Sequence, residues 1–195
     1  DYVLTLVGPQ GAGKSTFAQK IGMAWYSDSF GTIQGKEAYE SIQGVWIMEM
    51  GELAGLRKAE METIKHFISK CEDRYRVAYG KRTETFPRQC IFIGTTNNRE
   101  FLNDPTGNRR FWPVDVTVNK PSKNIWRDLN QAEIDQLWAE AVTLYKAGES
   151  VFLDADIELK ATEIQGAHTE LDERTSLVQE FLDKPVPANW YDLSL

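Results

Sequence analysis

Tyr2-Val3-Leu4-Thr5-Leu6-Val7 runs straight into Gly8-Pro9-Gln10-Gly11-Ala12-Gly13-Lys14-Ser15-Thr16, and this stretch decides the fold. The first part is a continuous apolar, β-branched run, the pattern of a strand buried on both faces of a parallel sheet. The second part matches G-x-x-x-x-G-K-[ST] in full from Gly8 to Ser15. Residues 14–24 then read as helix, so the motif stands between a strand and a helix, as its chemistry requires. Its glycines let successive backbone N–H groups turn inward toward a phosphate, and the helix N-terminus adds a favourable dipole. In such a loop Lys14 reaches the β and γ phosphates and the Ser15 hydroxyl ligates Mg²⁺. The expected ligands are ATP and Mg²⁺, with Gly8 to Thr16 forming the phosphate cradle.

Outward from this stretch, buried strands are expected at 45–50 (VWIMEM), 90–95 (CIFIGT) and 111–118, with a short one at 31–34. Helices are expected at 36–43, at 52–71 with a break near Gly55, at 133–147, and over 157–174 and 175–182. The 133–147 helix has Ile134, Leu137, Trp138, Ala141, Val142 and Tyr145 on one face. Residues 74–88 read as a hairpin, with Tyr75, Val77 and Tyr79 alternating before a turn at Gly80. Strands alternating with helices imply an α/β fold, a P-loop NTPase three-layer sandwich with a mainly parallel sheet. The core is expected over 1–130, with a small helical C-terminal portion over 131–195 packed on it.

A chain of 195 residues with 42% hydrophobic and 26% charged residues suits one soluble globular domain and excludes disorder. Its apolar runs are far shorter than the roughly twenty residues a membrane helix needs. Cys71 and Cys90 have no metal-ligand spacing, which points to a reduced, cytosolic protein with Cys90 as a buried thiol. Because Asp1 leads directly into a strand, an excised domain of a longer protein is expected, a processed or truncated N-terminus being the alternative. A net charge of −7 excludes a wholly basic nucleic-acid binder but leaves room for a local basic site. Residues 74–88 supply one: Arg74, Arg76, Lys81, Arg82 and Arg88, with Glu84 as the single acid.

Further candidates stand at strand ends. Glu49 lies in an otherwise apolar strand, where a carboxylate without a partner is costly, so a functional role is expected. We assign Glu49 to the metal and Glu52 to the attacking water, the reverse division and a helix-capping Glu52 being the alternatives. Asn97, after IFIGTT, is either a sensor of the γ-phosphate or part of a turn. Arg109 and Arg110 precede a strand and point different ways, one as a finger on a neighbour's γ-phosphate and the other as an ion-pair partner. Other classes fit less well. Asn119-Lys120-Pro121-Ser122 lacks the acid of a guanine-reading motif, no LSGGQ-like segment occurs, and no arginine-rich kinase lid is found.

Taken together, the phosphate loop, VWIMEMGEL, IKHFIS before DRYRVAYG, IFIGTTN and DPTGNRRFWPV resemble the virulence-associated protein E family. The likeness is strong from Tyr2 to about Val116, and GESVFL and the final FLD resemble its C-terminal portion. It implies an AAA+ ATPase similar to superfamily-three helicases, acting in DNA replication of a phage or mobile element in the bacterial host cytoplasm. By match, Glu49 and Glu52 form the Walker B region, Asn97 the sensor, and Arg109 or Arg110 the finger. The hairpin would contact single-stranded or forked DNA through Lys81 and Arg82 at its tip and Arg76. Lys65 would touch phosphate or structure. A hexamer-like ring and an upstream primase-type domain are the implied partners, with no membrane. The alternative is a regulatory or assembly ATPase that does not unwind DNA.

Overall fold

The computed structural model describes residues 2–31, 35–53, 58–102, 108–119, 123–170 and 173–184. The opening apolar run becomes β1 (Val3–Val7), followed by α1 (Lys14–Gly22), β2 (Tyr26–Ser27), α2 (Gly35–Ser41), β3 (Ile47–Met50) and α3 (Lys58–Ile68). Next come the antiparallel pair β4 (Glu72–Tyr75) and β5 (Glu84–Pro87), then β6 (Ile91–Thr96) and β7 (Phe111–Asp115). Three helices close the described chain: α4 (Gln131–Ala147), α5 (Ala155–Ala167) and α6 (Glu173–Leu182). One sheet has the order β2-β3-β6-β1-β7, with every pairing parallel. Val7 lies opposite Thr96 on one side and Asp115 on the other, so β1, β6 and β7 end at one edge.

Strand periodicity builds the layers. Val3, Val7, Met48, Met50 and Phe92 pack with Ala38 and Ile42 near α2 and with Met61, Ile64, Phe67 and Ile68 of α3. On the opposite face Leu4, Leu6, Ile47 and Ile93 pack with Phe17, Ala18 and Ile21 of α1 and with Trp138 of α4. The result is the three-layer α/β sandwich. The Trp138 indole N–H donates to the Ile21 carbonyl at 3.0 Å, which fixes α4 to α1. Gln165 of α5 donates to the Phe111 carbonyl at 2.9 Å, and buried His168 meets the Arg99 carbonyl at 2.7 Å through Nδ1. At Gly8 a Cβ would stand 2.3 Å from the Val116 carbonyl oxygen, so only glycine lets the exit of β7 approach the phosphate loop.

Several elements differ from expectation. The first helix ends at Gly22, and a 3₁₀ turn leads into β2, a strand that no periodicity announced. Gly31 is not in a strand, and residues 32–34 and Gly55 lie outside the described residues. The second strand starts at Ile47 rather than Val45, and the fourth stops at Asp115 rather than Val118. The predicted helix over 157–174 ends at Ala167, where Thr169 bridges to Leu102. On α4 only Ile134 of the expected apolar face is buried, while Leu137, Val142 and Tyr145 are exposed. The alternating hairpin arm stops at Tyr75, which stacks on Phe86 at 4.7 Å; Val77 and Tyr79 beyond it face solvent. Cys90 is buried, as expected.

Arg88, the last cation of the 74–88 segment, is withdrawn from solvent. Its side chain is only 5% exposed and is forked onto Asp73, at 0%, through Nε at 3.1 Å and an Nη group. It also donates to the Phe67 carbonyl and lies 4.5 Å over the Phe67 ring. Arg88 thus pins the base of the hairpin to the end of α3. Arg88→Ala should cost roughly 3–5 kcal/mol, because Asp73 is left buried without its partner. Chemical denaturation followed by circular dichroism checks this, with Lys81→Ala expected to stay within about 0.5 kcal/mol of the parent. A loss below about 1 kcal/mol for Arg88→Ala would contradict the pinning.

Candidate nucleotide-binding cleft

The phosphate loop crosses the carboxyl edge of the sheet between β1 and α1. Gly13 caps α1 at φ 83°, in the left-handed region that glycine enters without cost. No side chain caps this helix end, which leaves its first N–H groups available to an anion. Lys14 is half-buried rather than fully exposed. Its Nζ donates to the Gly8 carbonyl at 2.7 Å, the Pro9 carbonyl at 2.9 Å and Asn97 Oδ1 at 2.9 Å. Burial lowers the ammonium pKa, and the Glu49 charge opposes that shift.

Glu49 is 4% exposed, and its carboxylate collects hydroxyls from three elements. Ser15 Oγ donates to Oε1 at 2.6 Å, Thr95 Oγ1 to the same oxygen at 2.8 Å, and the Tyr26 hydroxyl to Oε2 at 2.5 Å. Strand alternation explains the convergence: Glu49 follows Ile47, and Thr95 follows Ile93, on the face that carries α1. Burial, and then hydrogen bonding to Glu49, push the Tyr26 phenol pKa up, so Tyr26 stays a donor. Sequence reasoning missed Tyr26 and Thr95. The alternation of β6 contained the signal for Thr95, whereas Tyr26 sits in a two-residue strand with no pattern of its own.

These groups surround a cleft of about 370 Å³ lined by residues 10–16, Glu49, Gly51, Glu52, Thr95, Thr96, Asn97 and Trp126. Gly8 and Pro9 contribute carbonyls to Lys14 instead of lining it. Glu52 is exposed on the cleft wall at φ 54°, a conformation uncommon outside glycine. Among the described residues no three His, Cys, Asp or Glu side chains cluster as a metal cage. A hydroxyl beside one carboxylate, Ser15 on Glu49, instead fits a magnesium ion that takes its other ligands from phosphates and water.

The remaining candidates lie elsewhere. Arg109 and Arg110 occupy a 3₁₀ turn just before Phe111, which pairs with Val3 at the amino edge of the sheet, so neither reaches the cleft of its own chain. Arg110 Nε donates to Ser69 Oγ at 2.8 Å, a hydroxyl rather than the expected ion pair, while Arg109 is exposed. Lys65 is buried, pairs with Glu62 at 3.1 Å and does not line the cleft. Arg76, Lys81 and Arg82 are exposed on the loop between β4 and β5. That hairpin is rooted at the amino edge, where the Arg88 N–H donates to the Cys71 carbonyl at 2.8 Å just before β6. Residues 104–107 of the DPTGNRRFWPV stretch, and Lys120, Pro121 and Ser122, lie outside the described residues. No helix among the described residues is long and apolar enough to cross a membrane.

Comparison with solved structures finds an A-form apo structure of the NrS-1 C-terminal region, with TM-score 0.51 and 14% identity over 93% of this chain and 47% of that one. A second apo structure of the same region matches with TM-score 0.48 and 12% identity, over 95% of this chain and 44% of that one. The chain therefore spans a little under half the length of the structures it matches, and the former likeness shows a shared fold. Comparison with curated proteins finds no match. The virulence-associated protein E-like domain matches residues 1–170, most of the chain and every element that builds the cleft, and the chain belongs to that family.

Proposed function

We propose that this domain is an ATP-hydrolysing, helicase-like motor that serves DNA replication of a phage or mobile element. One observation carries the reading: Lys14 on Asn97, and Ser15 on Glu49, meet at a single cleft on the carboxyl edge of a parallel sheet. Ligands of such sheets bind at that edge. Membership of the virulence-associated protein E-like family supports the replication setting.

In this reading Lys14 exchanges neutral carbonyl partners for phosphate oxygens. Charge-assisted hydrogen bonds are stronger, so the exchange is favourable for a partly desolvated ammonium. Ser15 and Glu49 are the residues that would hold magnesium, which would supply charge neutralisation to the bound phosphates. Thr95 and Tyr26 keep the Glu49 carboxylate oriented. Glu52 orients the attacking water, and Asn97 contacts that water or the γ-phosphate while steadying Lys14. Arg109 is the finger, because Arg110 is tied to Ser69; its place at the far edge of the sheet requires that it serve a neighbouring subunit, as in a hexamer-like ring. Lys81, Arg82 and Arg76 contact single-stranded or forked DNA, and an upstream primase-type domain is a natural companion. A second reading, a regulatory or assembly ATPase, is favoured by the net charge of −7 and by the withdrawal of Arg88 from the exposed cations. Stimulation of ATP turnover by single-stranded DNA separates the two.

Lys14→Ala should lower ATP turnover roughly a hundredfold or more, the scale for one lost transition-state donor. Glu52→Gln should bind ATP without hydrolysing it, whereas Glu49→Gln should also raise the Mg²⁺ concentration needed. Nucleotide binding and Mg²⁺ titrations check the division, and the opposite pattern would exchange the two roles.

Specific activity should rise with protein concentration, and mixing inactive Arg109→Ala with inactive Lys14→Ala should restore part of it. Constant specific activity in a monomer, established by mass measurement, would rule out a finger in trans.

Replacing Lys81 and Arg82 together with Ala should leave basal hydrolysis near the parent value and abolish its stimulation by DNA. The salt slope of DNA binding should fall by about one to two. Unchanged DNA binding and unwinding in the full-length protein would overturn the hairpin assignment.

A further inference from the structure

Residues 123–130 form a short loop that lies against the phosphate loop at Gly13. Lys20 extends from α1 and donates to three of the loop's carbonyls, Ile125 at 2.9 Å, Trp126 at 3.0 Å and Leu129 at 2.8 Å. Asn124 Oδ1 accepts the N–H groups of Trp126 and Arg127 at 3.0 and 3.1 Å. Asp128 Oδ2 in turn accepts the Asn124 N–H at 2.8 Å. The loop is pressed onto the cradle so closely that a Cβ on Gly13 would stand 2.8 Å from Ile125 Cγ2. It is therefore fixed to the helix that begins at the phosphate loop, by hydrogen bonds of the chain's own groups.

This loop places Trp126 on the cleft wall with 58% of its surface exposed. The other described tryptophans are occupied. Trp25 stacks on Trp46 at 4.5 Å, Trp46 meets Trp138 edge-on at 5.9 Å, and Trp112 stacks on Tyr2 at 4.3 Å. Trp126 has no ring partner among the described residues. A large apolar ring held open to water beside a phosphate site loses hydrophobic stabilisation unless a ligand covers it.

We infer that Trp126 is the platform on which the base of the bound nucleotide stacks. The inference rests on the nucleotide reading above and adds a residue for the base to those for the phosphates. Every base has a π-face, so stacking adds affinity without strict base choice. Because Lys20 and Asn124 hold the platform beforehand, little conformational freedom is lost on binding.

The test compares ATP with inorganic triphosphate, which has the charge but no base, by calorimetry on the parent, Trp126→Ala, Trp126→Phe and Lys14→Ala. Trp126→Ala should weaken ATP binding roughly five- to a hundredfold, the range for loss of one base–aromatic stack, and leave triphosphate binding unchanged. Trp126→Phe should restore most of the loss. Since the side chain is exposed, the Ala variant should keep the parent's thermal midpoint. ATP binding as tight in Trp126→Ala as in the parent, while Lys14→Ala binds neither ligand, would overturn the base assignment and leave the nucleotide reading standing. If Trp126→Ala instead lowers only the assembled mass, Trp126 is a subunit contact and the assignment is likewise overturned. A parent that binds neither ligand would overturn both readings.

Discussion

A single buried carboxylate organises the cleft. Glu49 is 4% exposed, and a carboxyl group at that depth is tolerated only when hydrogen-bond partners surround it. Its three hydroxyl partners come from the start of α1, from β2 and from the end of β6. Those elements are brought to one point by the parallel order of the sheet and by the face on which α1 packs. Satisfying Glu49 therefore constrains the register of β3 against β6 and the position of the phosphate loop over both. A strand shifted by one residue would turn Glu49 into the layer of Met48 and Met50, where the neighbours are Met61, Phe67 and Phe92.

Seen this way, the cleft and the core are two faces of one alternation. On the α1 side of β3, Ile47 packs and Glu49 reaches the cleft; on β6, Ile93 packs and Thr95 reaches it. On the opposite side of the same strands Met48, Met50 and Phe92 are buried in the layer that α2 and α3 cover. The cleft thus lies at the carboxyl ends of strands whose earlier residues hold the sandwich together. The amino edge carries a different set of groups: the hairpin root at Arg88, and the Arg109 and Arg110 turn tied to Ser69.

Much of this was legible in the chain where two signals coincided. For β1 and its loop, a buried-strand run met a complete glycine-lysine motif at the required spacing. The singular position of Glu49 was legible because a charge stood in an otherwise apolar strand. Failures came where contacts distant in sequence decide. β2 exists because Tyr26 and Ser27 pair with Ile47 and Met48, and no local period marks it. Arg88 reads as one more surface cation until Asp73 and the Phe67 ring enclose it. The hairpin arm reads longer than it is, because alternation continues to Tyr79 after the partner ring, Phe86, has run out. Trp126 and its anchor Lys20 lie 106 positions apart, beyond any pattern within a window.

The pinning of the hairpin has a mechanical meaning. β6 is a strut of six residues, about 20 Å long, whose amino end continues from the hairpin base and whose carboxyl end carries Asn97. Hydrogen-bond ladders to β3 and β1 brace it along both sides. Such a strut bends little and slides only by shearing both ladders together. A pull on the hairpin loop therefore enters the sheet at Arg88 as a load on the whole layer. Compliance is left to the loop residues between Tyr75 and Glu84, where Val77 and Tyr79 are exposed. Between the hairpin root and the cleft, β6 is braced on both sides, whereas the loop beyond the root has no such ladder.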